Sequence, residues 1–245
     1  MLNKTKILNV DITNETEEKV LEYLFKRLKN TDKKTFIITP NPEILVYASK
    51  HLAYQDKLNS ADIALPDGVG LFFASGLLGR PLTERITGVD FLEKLCIEAK
   101  EKPLSMGFLG GKDGVAKTTA ECLLEKYPWL NIVFVGSEWN EEGYRLNKKN
   151  QEAKVIDILF VAYGVPKQEE WIYEQLPTLP VKAAIGVGGA FDYLSGTVMR
   201  APFIIRFLGF EWLFRLIVQP WRWRRQLALL EFIALVIKQI FSGKK

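Results

Sequence analysis

The sequence predicts an α/β fold in which helices cover both faces of a mostly parallel sheet, followed by a helical C-terminal appendage. Short apolar runs alternate with helical patterns over about 190 residues, as expected of parallel strands joined by crossover helices. Most of the predicted strands end in Gly, Pro, Asp or Asn, so polar loops are expected to meet at one rim of the sheet. Ligands bind at that rim in Rossmann-like sheets.

Six apolar runs of strand length make up the predicted sheet. They lie at residues 35–39, 61–65, 104–109, 131–135, 155–163 and 183–187. Asn14 opens a capping box before a helix that runs through Leu28. Asn41 is the expected cap of a helix at 42–58, and Thr87 opens a helix that ends near residue 99. Further helices are predicted at 69–78, 115–127 and 166–176, and the polar segment 138–154 has only a weak helical signal.

The composition argues against several kinds of site. With 245 residues, 48% hydrophobic and 25% charged, the chain is long enough for one large domain, with or without an appendage. A single histidine, His51, argues against a histidine-based metal cluster or a Ser-His-Asp triad. The two cysteines, Cys96 and Cys122, are expected to be reduced core residues. The sequence lacks a signal-peptide core and an apolar run of the ~20 residues that span a bilayer, so we expect a cytoplasmic protein.

The end of the chain is strongly basic. From Val198 onwards there are nine Lys or Arg and two Glu, a net charge of +7, whereas the whole chain carries +4. We therefore divide the sequence into an α/β core, residues 1–197, and an appendage, residues 198–245. The appendage is predicted to form helices at 201–218 and 221–241, which hold three of the six tryptophans. Basic, aromatic and amphipathic character together indicate a helix that lies on a membrane surface.

A membrane is not the only partner that the sequence of the appendage allows. The helices could instead pack on the core and leave a solvated basic face. Nucleic acid is not expected as a partner, because the basic residues stand among long apolar stretches instead of forming a solvated, phosphate-tracking stripe. The apolar tail also offers a surface for assembly into a homo-oligomer.

The stretch 66–90 holds the strongest candidate for catalysis. Asp67 follows a buried strand, in a turn that Pro66 and Gly68 enforce. A carboxylate at this rim can accept a proton from a substrate hydroxyl. Arg85, shortly before the next helix, could hold a phosphate in the same cleft. The alternative for Asp67 is that it only caps the helix that follows it.

Two strand-to-helix turns suit a nucleotide diphosphate. Gly110 ends a strand where bare backbone N–H groups can approach phosphate, although the G-x-G-x-x-G spacing of dinucleotide sites is absent. Lys167 and Gln168 lie in a second such turn. They either bind phosphate or sugar hydroxyls or form a solvated first turn of the helix.

Arginines are the expected counter-charge of such a ligand. The chain contains no Asp-x-Asp pair, so the charge of a diphosphate leaving group would be met by arginines or helix N-termini without a metal. Arg222 and Arg225 are three residues apart and share a helix face, which suits phosphate binding. Arg215 either joins them or forms a helical ion pair with Glu211.

Several motifs occur in a characteristic order between residues 39 and 225. They are Thr39-Pro-Asn-Pro-Glu43, Asp67-Gly68, Arg85-x-Thr-Gly-x-Asp90, Gly107-Phe-Leu-Gly-Gly111, Gly164-x-Pro-Lys-Gln-Glu169, Gly186-Val-Gly-Gly-Ala-Phe-Asp192, Arg200-Ala-Pro202 and Glu211-Trp-Leu-Phe-Arg215. Together they resemble the WecG/TagA/CpsF glycosyltransferases, family 26, and most closely the TagA branch.

The resemblance implies an activity and a location. It implies inverting, metal-independent transfer of N-acetylmannosamine from UDP-N-acetylmannosamine to undecaprenyl-diphosphate-linked N-acetylglucosamine, a step of wall teichoic acid linkage-unit synthesis. The acceptor places this step at the inner face of the cell membrane, with the protein bound peripherally through its appendage. No cofactor is implied.

The resemblance also implies residue roles. Asp67 is expected to be the general base, Thr39 and Asn41 to orient a sugar, and Arg85 to hold the lipid-linked diphosphate. The UDP site is expected to be lined by Gly110, Lys167, Gln168, Gly188 and Asp192. The appendage is expected to close over the diphosphate of the leaving UDP with Arg215, Arg222 and Arg225.

Two other functions stay open at this point. The chain could use a different UDP-sugar donor for another surface polysaccharide. It could also be a non-catalytic nucleotide-binding module that docks on membranes, in which case substitution of Asp67 would be silent.

Overall fold

The computed structural model describes residues 1–29, 33–112, 114–140 and 155–242. The segment 138–154, with its weak helical signal, lies largely outside these residues. The strands are β1 (Lys4–Ile7), β2 (Val10–Thr13), β3 (Thr35–Ile38), β4 (Ile63–Ala64), β5 (Ser105–Gly110), β6 (Asn131–Gly136), β7 (Ile156–Ala162) and β8 (Val181–Gly186).

Across the described ranges, six strands pair in parallel in the order β4-β3-β8-β7-β5-β6. All six predicted strands are confirmed. β1 and β2 form a separate antiparallel hairpin that the sequence analysis missed, because each has only four residues and includes charged ones. The order in which strands are added to the sheet reverses between the parallel neighbours β5 and β7, since β6 follows β5 on one side and β8 follows β7 on the other. A crevice for ligands is expected at the carboxyl ends of such a pair.

The helices pack on both sides of this sheet. They are α1 (Glu17–Lys29), α2 (Pro42–Lys50), α3 (Leu52–Asn59), α4 (Val69–Leu77), α5 (Gly88–Glu98), α6 (Val115–Lys126), α7 (Lys167–Gln175), α8 (Ala190–Leu194), α9 (Phe203–Phe207), α10 (Glu211–Val218) and α11 (Trp223–Ser242). The predicted helix at 42–58 is in fact two helices, which meet at His51.

Two of the three predicted caps are confirmed. The Asn41 carboxamide oxygen accepts from the N–H of Ile44, and Thr87 caps α5 in the same way. The predicted cap at Asn14 is wrong. Its side-chain oxygen accepts instead from the N–H and hydroxyl of Thr83, which ties the first helix to the loop before α5.

Each face of the sheet is covered by its own hydrophobic cluster. Because successive strand residues point to opposite faces, Ile37 and Phe108 belong to one cluster while Ile38 and Leu109 belong to the other. Helices α1, α5, α6 and α8 cover the first face, and α2, α3, α4, α7 and α11 cover the second. Cys96 is buried, as expected of a core residue, whereas Cys122 is only partly buried.

The appendage is partly built into the core. Its last helix, α11, packs against α2 and α4, and it buries Phe232 and Val236 in the second cluster. Lys50 on α2 forms an ion pair with Glu231 on α11 at 2.7 Å. One face of α11 therefore packs on the core while its remaining faces stay exposed. Treatment of residues 198–245 as a separate unit stays a prediction.

The predicted helix at 201–218 is interrupted at Gly209. This residue has φ +79° and lies against Val69, so close that an added Cβ would be 2.8 Å from a Val69 methyl group. The interruption lets α9 and α10 follow the surface of the core. None of the helices within the described ranges is long and apolar enough to cross a membrane.

The docking of α11 can be tested by two neighbouring substitutions. Phe232 is 2% exposed and Ile233 is 48% exposed. Phe232→Ala is expected to lower the free energy of unfolding by about 3 kcal/mol, because it leaves a cavity in the core. Ile233→Ala is expected to change it by less than about 1 kcal/mol. Equal effects of both substitutions in denaturant unfolding would contradict the packing of α11.

Candidate active site

The polar loops converge at the carboxyl rim of the sheet, as predicted. Asp67 follows β4, and Thr39 and Asn41 follow the neighbouring β3. The next three strands across the sheet contribute the remaining loops of the core. Gly188 and Asp192 follow β8, Lys167 and Gln168 follow β7, and Gly110 ends β5.

Asp67 does not cap the helix that follows it. Helix α4 begins at Val69, its N-cap is Gly68, and no side chain caps it, which rules out that alternative. The N–H of Asp67 donates to the carbonyl of Pro40 at 2.9 Å and thereby joins the ends of β3 and β4. Its carboxylate lies 3.5 Å from the N–H of Gly88, at the start of α5. The carboxylate therefore faces the cleft between the β4 loop and α5.

The environment of Asp67 suits proton transfer near neutral pH. Burial raises the pKa of this carboxyl, and the negative charge of Glu211 raises it further. The Gly88 N–H and the Arg85 guanidinium oppose this shift but leave the pKa at about 7. A base with a pKa near the working pH is the most effective in proton transfer.

Thr39 and Asn41 hold the neighbouring strand end. The Thr39 hydroxyl is buried and donates to the Gly186 carbonyl at 2.8 Å, which links β3 to β8. Asn41 is only partly buried and uses its oxygen as the cap of α2, while its amide nitrogen donates no hydrogen bond within the described ranges. Direct contact of either residue with a sugar stays a prediction.

Arg85 connects the Asp67 cleft to the appendage. Its guanidinium donates to the carbonyl of Arg206, at the end of α9, over 3.1 Å. The side chain is half-buried and its charge acts on Asp67. Its remaining N–H groups are available for the diphosphate that the sequence analysis assigned to it.

Gln168 joins the loops that follow β7 and β8 through hydrogen bonds. Its buried carboxamide oxygen accepts from the N–H groups of Gly164 and Gly188, at 3.2 and 3.0 Å. Its nitrogen donates to Glu169, which is fully buried and also accepts from Tyr54. Because the amide is engaged within the protein, the structure gives Gln168 a loop-positioning role, and direct contact with UDP stays a prediction.

Gly110 and Lys167 lie on either side of the crevice between β5 and β7. Gly110 has φ +99°, and an added Cβ would be 2.9 Å from the backbone of Ala162. Strand packing alone thus requires a glycine there. Lys167 is exposed in the first turn of α7. Their roles in binding UDP stay predictions.

Arg215 reaches from the appendage onto the β8 loop. It forms an ion pair with Asp192 at 3.5 Å and lies over the Tyr193 ring at 4.7 Å. Its guanidinium rests on Gly189, where an added Cβ would be 2.6 Å from Nη2. The helical pair of Arg215 with Glu211 is not formed, because Glu211 pairs with Arg200 instead.

Arg222 lacks a counter-ion in the described part of the chain. It is half-buried, and burial together with the charges of Arg215 and Arg225 lowers the pKa of its guanidinium to about 10. Arg225 forms an ion pair with Glu43, in the first turn of α2, at 2.8 Å. Because three guanidinium groups face only two carboxylate partners, Asp192 and Glu43, the cluster keeps an excess positive charge that suits an anion.

Several residues that shape this site were not predicted to do so. Asp90 and Arg200 occur in the motifs quoted above without a predicted role, and Glu211 was expected only as an alternative ion-pair partner of Arg215. Glu169 was missed as well, because a glutamate in a first helical turn gives no sign of burial. Within the described residues, no group of three or more His, Cys, Asp or Glu side chains could hold a metal ion.

Comparison with known proteins agrees with this architecture. The model of the "Glycosyl transferase WecG/TagA/CpsF family" matches residues 5–245. A protein of Bacillus spizizenii is 35% identical over 99% of this chain and 94% of its own length. Relatives from Bacillus subtilis (34% identical; 95% and 91%) and Staphylococcus aureus (31%; 99% and 94%) are also similar. All three are named N-acetylglucosaminyldiphosphoundecaprenol N-acetyl-beta-D-mannosaminyltransferase.

The arginine cluster can be tested with a simple anion. Inorganic pyrophosphate is expected to bind it, and Arg222→Gln should weaken binding about tenfold or more, because one charged hydrogen-bond donor is lost. Arg224→Gln is the matched control, since Arg224 is exposed and lies over Trp223. Isothermal titration measures both. Equal binding by the two variants would show that Arg222 is not part of an anion site.

Proposed function

The chain belongs to the WecG/TagA/CpsF family of glycosyltransferases, and we propose that it transfers N-acetylmannosamine from UDP-N-acetylmannosamine to undecaprenyl-diphosphate-linked N-acetylglucosamine. The names of the relatives support both the sugar and the acceptor. The reaction would serve wall teichoic acid linkage-unit synthesis. The observation that carries the chemistry is the Asp67 carboxyl, at the carboxyl rim of the sheet with a pKa of about 7.

Asp67 acts as the general base. It takes the proton of the acceptor hydroxyl while that oxygen attacks the anomeric carbon of the donor sugar. The bond between the anomeric carbon and the diphosphate breaks, and UDP leaves with the electron pair. One base on one face of the sugar fits a single displacement with inversion. Asn41 offers its free amide to a sugar, and Thr39 keeps the β3 and β8 ends in register.

The arginine cluster takes the charge of the leaving diphosphate. Arg215, Arg222 and Arg225 exceed their carboxylate partners, Asp192 and Glu43, by one positive charge, and they would meet the charge of UDP without a divalent cation. Arg85 lies on the Asp67 side and is suited to the lipid-linked diphosphate. The remainder of the UDP site is the crevice between β5 and β7, lined by Gly110, Lys167, Gln168, Gly188 and Asp192.

The appendage docks on the membrane that holds the acceptor. Large apolar side chains are exposed along α9, α10 and α11, and Phe73 and Leu77 of the adjacent α4 are 69% and 67% exposed. Basic residues such as Arg224 are exposed among them and complement an anionic leaflet. The exposed set in the appendage includes Phe203, Ile204, Phe207, Trp221, Leu230 and Phe241. A peripheral position at the inner leaflet follows, and self-association through the same surface stays a prediction.

The catalytic role of Asp67 is tested by Asp67→Asn. UDP release from UDP-N-acetylmannosamine, with a lipid-diphosphate-linked N-acetylglucosamine acceptor in EDTA, is expected to fall ~10²–10⁴-fold. The variant should melt no lower than the wild type above pH 7, because the ionised Asp67 is held in a site that disfavours charge. Acceptor-dependent release by wild type that survives EDTA is expected. Undiminished release by the variant would overturn the assignment, and wild-type release only with another UDP-sugar would correct the donor.

Membrane docking is tested by substituting two residues whose side chains are exposed to the same extent. Trp221 in the appendage is 71% exposed and Leu52 on α3 is 72% exposed. Trp221→Ser should weaken binding to phosphatidylglycerol-containing vesicles about tenfold, because a buried aromatic side chain contributes about 1.5–3 kcal/mol. Leu52→Ser should leave it unchanged. Vesicle sedimentation that shows no difference would contradict docking through the appendage.

A further inference from the structure

Arg200 stands in the segment between α8 and α9, away from the arginine cluster. Its side chain is only 17% exposed. The guanidinium contacts three carboxylates: Asp90 at 2.7 Å, Glu211 at 3.5 Å and Glu93 at 3.6 Å. Arginine presents five donors in a rigid plane, so one side chain can hold several carboxylates in a fixed arrangement. Two of these three carboxylates lie on α5 and the third begins α10.

On the α5 side, Arg200 holds the turn that faces the proposed base. Asp90 lies in the first turn of α5, where its carboxylate also accepts from the Thr87 hydroxyl at 2.6 Å. The same turn presents the N–H of Gly88 to Asp67. The position of Asp90 therefore fixes the wall of the Asp67 cleft.

On the appendage side, Arg200 holds the start of the helix that carries Arg215. Glu211 is the first residue of α10, and Arg215 follows one turn later. Two further cations lie beside these carboxylates, since Arg206 is 3.5 Å from Asp90 and Lys126 is 2.7 Å from Glu93. Loss of Arg200 would leave Asp90 with Arg206 and Glu93 with Lys126, but Glu211 would have no ion pair within the described residues. The negative charge of Glu211 would then be repelled by Asp90 and Glu93, which would weaken the contact of α10 with α5.

We propose that Arg200 is a positioning residue that joins α10 to the N-terminus of α5, so that Asp67 and Arg215 act in one cleft. The inference deepens the proposed function and rests on it. Arg200 touches neither sugar nor diphosphate and acts through Asp90 and Glu211. The charges of Glu211, Arg85 and Asp90 all affect the pKa of Asp67, and Glu211 does so from the appendage. This agrees with a link between the appendage and the Asp67 cleft.

The test uses the full chain with Arg200→Met, Arg200→Lys and Glu211→Gln. Arg200→Met is expected to lower kcat about tenfold or more, because Asp67 and Arg215 are then no longer held in a fixed position relative to each other. Arg200→Lys keeps the charge but cannot bind three carboxylates, so it should restore less than half of the lost activity. Glu98→Gln is the control on α5, since the ion pairs of Glu98 within the described residues are those with Lys94 and Lys102.

A double-mutant cycle separates positioning from general damage. The effects of Arg200→Met and Glu211→Gln on kcat/KM are expected to be strongly non-additive, whereas those of Arg200→Met and Glu98→Gln should add. Additive effects in both cycles would overturn the proposal. Full activity of Arg200→Met would overturn it as well.

Hydrogen exchange gives a second readout that needs no substrate. The backbone amides of α10 should exchange about tenfold faster in Arg200→Met and in Glu211→Gln, while β7 and β8 stay protected. Unchanged protection of α10 in Arg200→Met would contradict the link. If the wild-type chain transfers no sugar, the proposed function fails, but exchange in α10 still decides whether Arg200 holds the appendage in place.

Discussion

The site depends on one partly buried carboxylate at the end of a parallel strand. Asp67 lies where β3 and β4 meet, and its loss of water keeps its pKa far above the ordinary aspartate value. The surrounding contacts moderate the effect, because the Gly88 N–H and Arg85 partly compensate for the lost solvation.

A second constraint concerns the charge of a diphosphate ligand. Among the described residues, the loops after β5 and β7 offer backbone N–H groups and two exposed cations, Lys112 and Lys167, whereas the three clustered arginines come from the appendage. Arg215 is seated on Gly189 and beside Asp192, whereas Arg222 has no such partner among the described residues. Because the same region exposes many large apolar side chains, the proposed binding to a membrane and the proposed completion of the site would both depend on the appendage.

The parallel sheet was predictable because its signals are local. Each of its six strands is an apolar run that ends in turn residues, and the side chains at those ends could be placed on one rim without coordinates. The β1–β2 hairpin and the break at Gly209 were not predictable, since they depend on contacts such as that between Gly209 and Val69. Among the site residues, Gln168 shows the limit most clearly. Its position in the sequence suggests an exposed first turn of a helix. Tertiary packing instead buries its side chain, which holds two loops together through hydrogen bonds.

The pH dependence of kcat/KM for the full chain tests the central claim most directly. If Asp67 is the base, sugar transfer should fall about tenfold per pH unit below a pH of about 7, because the protonated carboxyl cannot accept the hydroxyl proton. A wild-type profile that remains flat down to pH ~5, the range of an ordinary carboxylate, would contradict the assignment of Asp67 as the base.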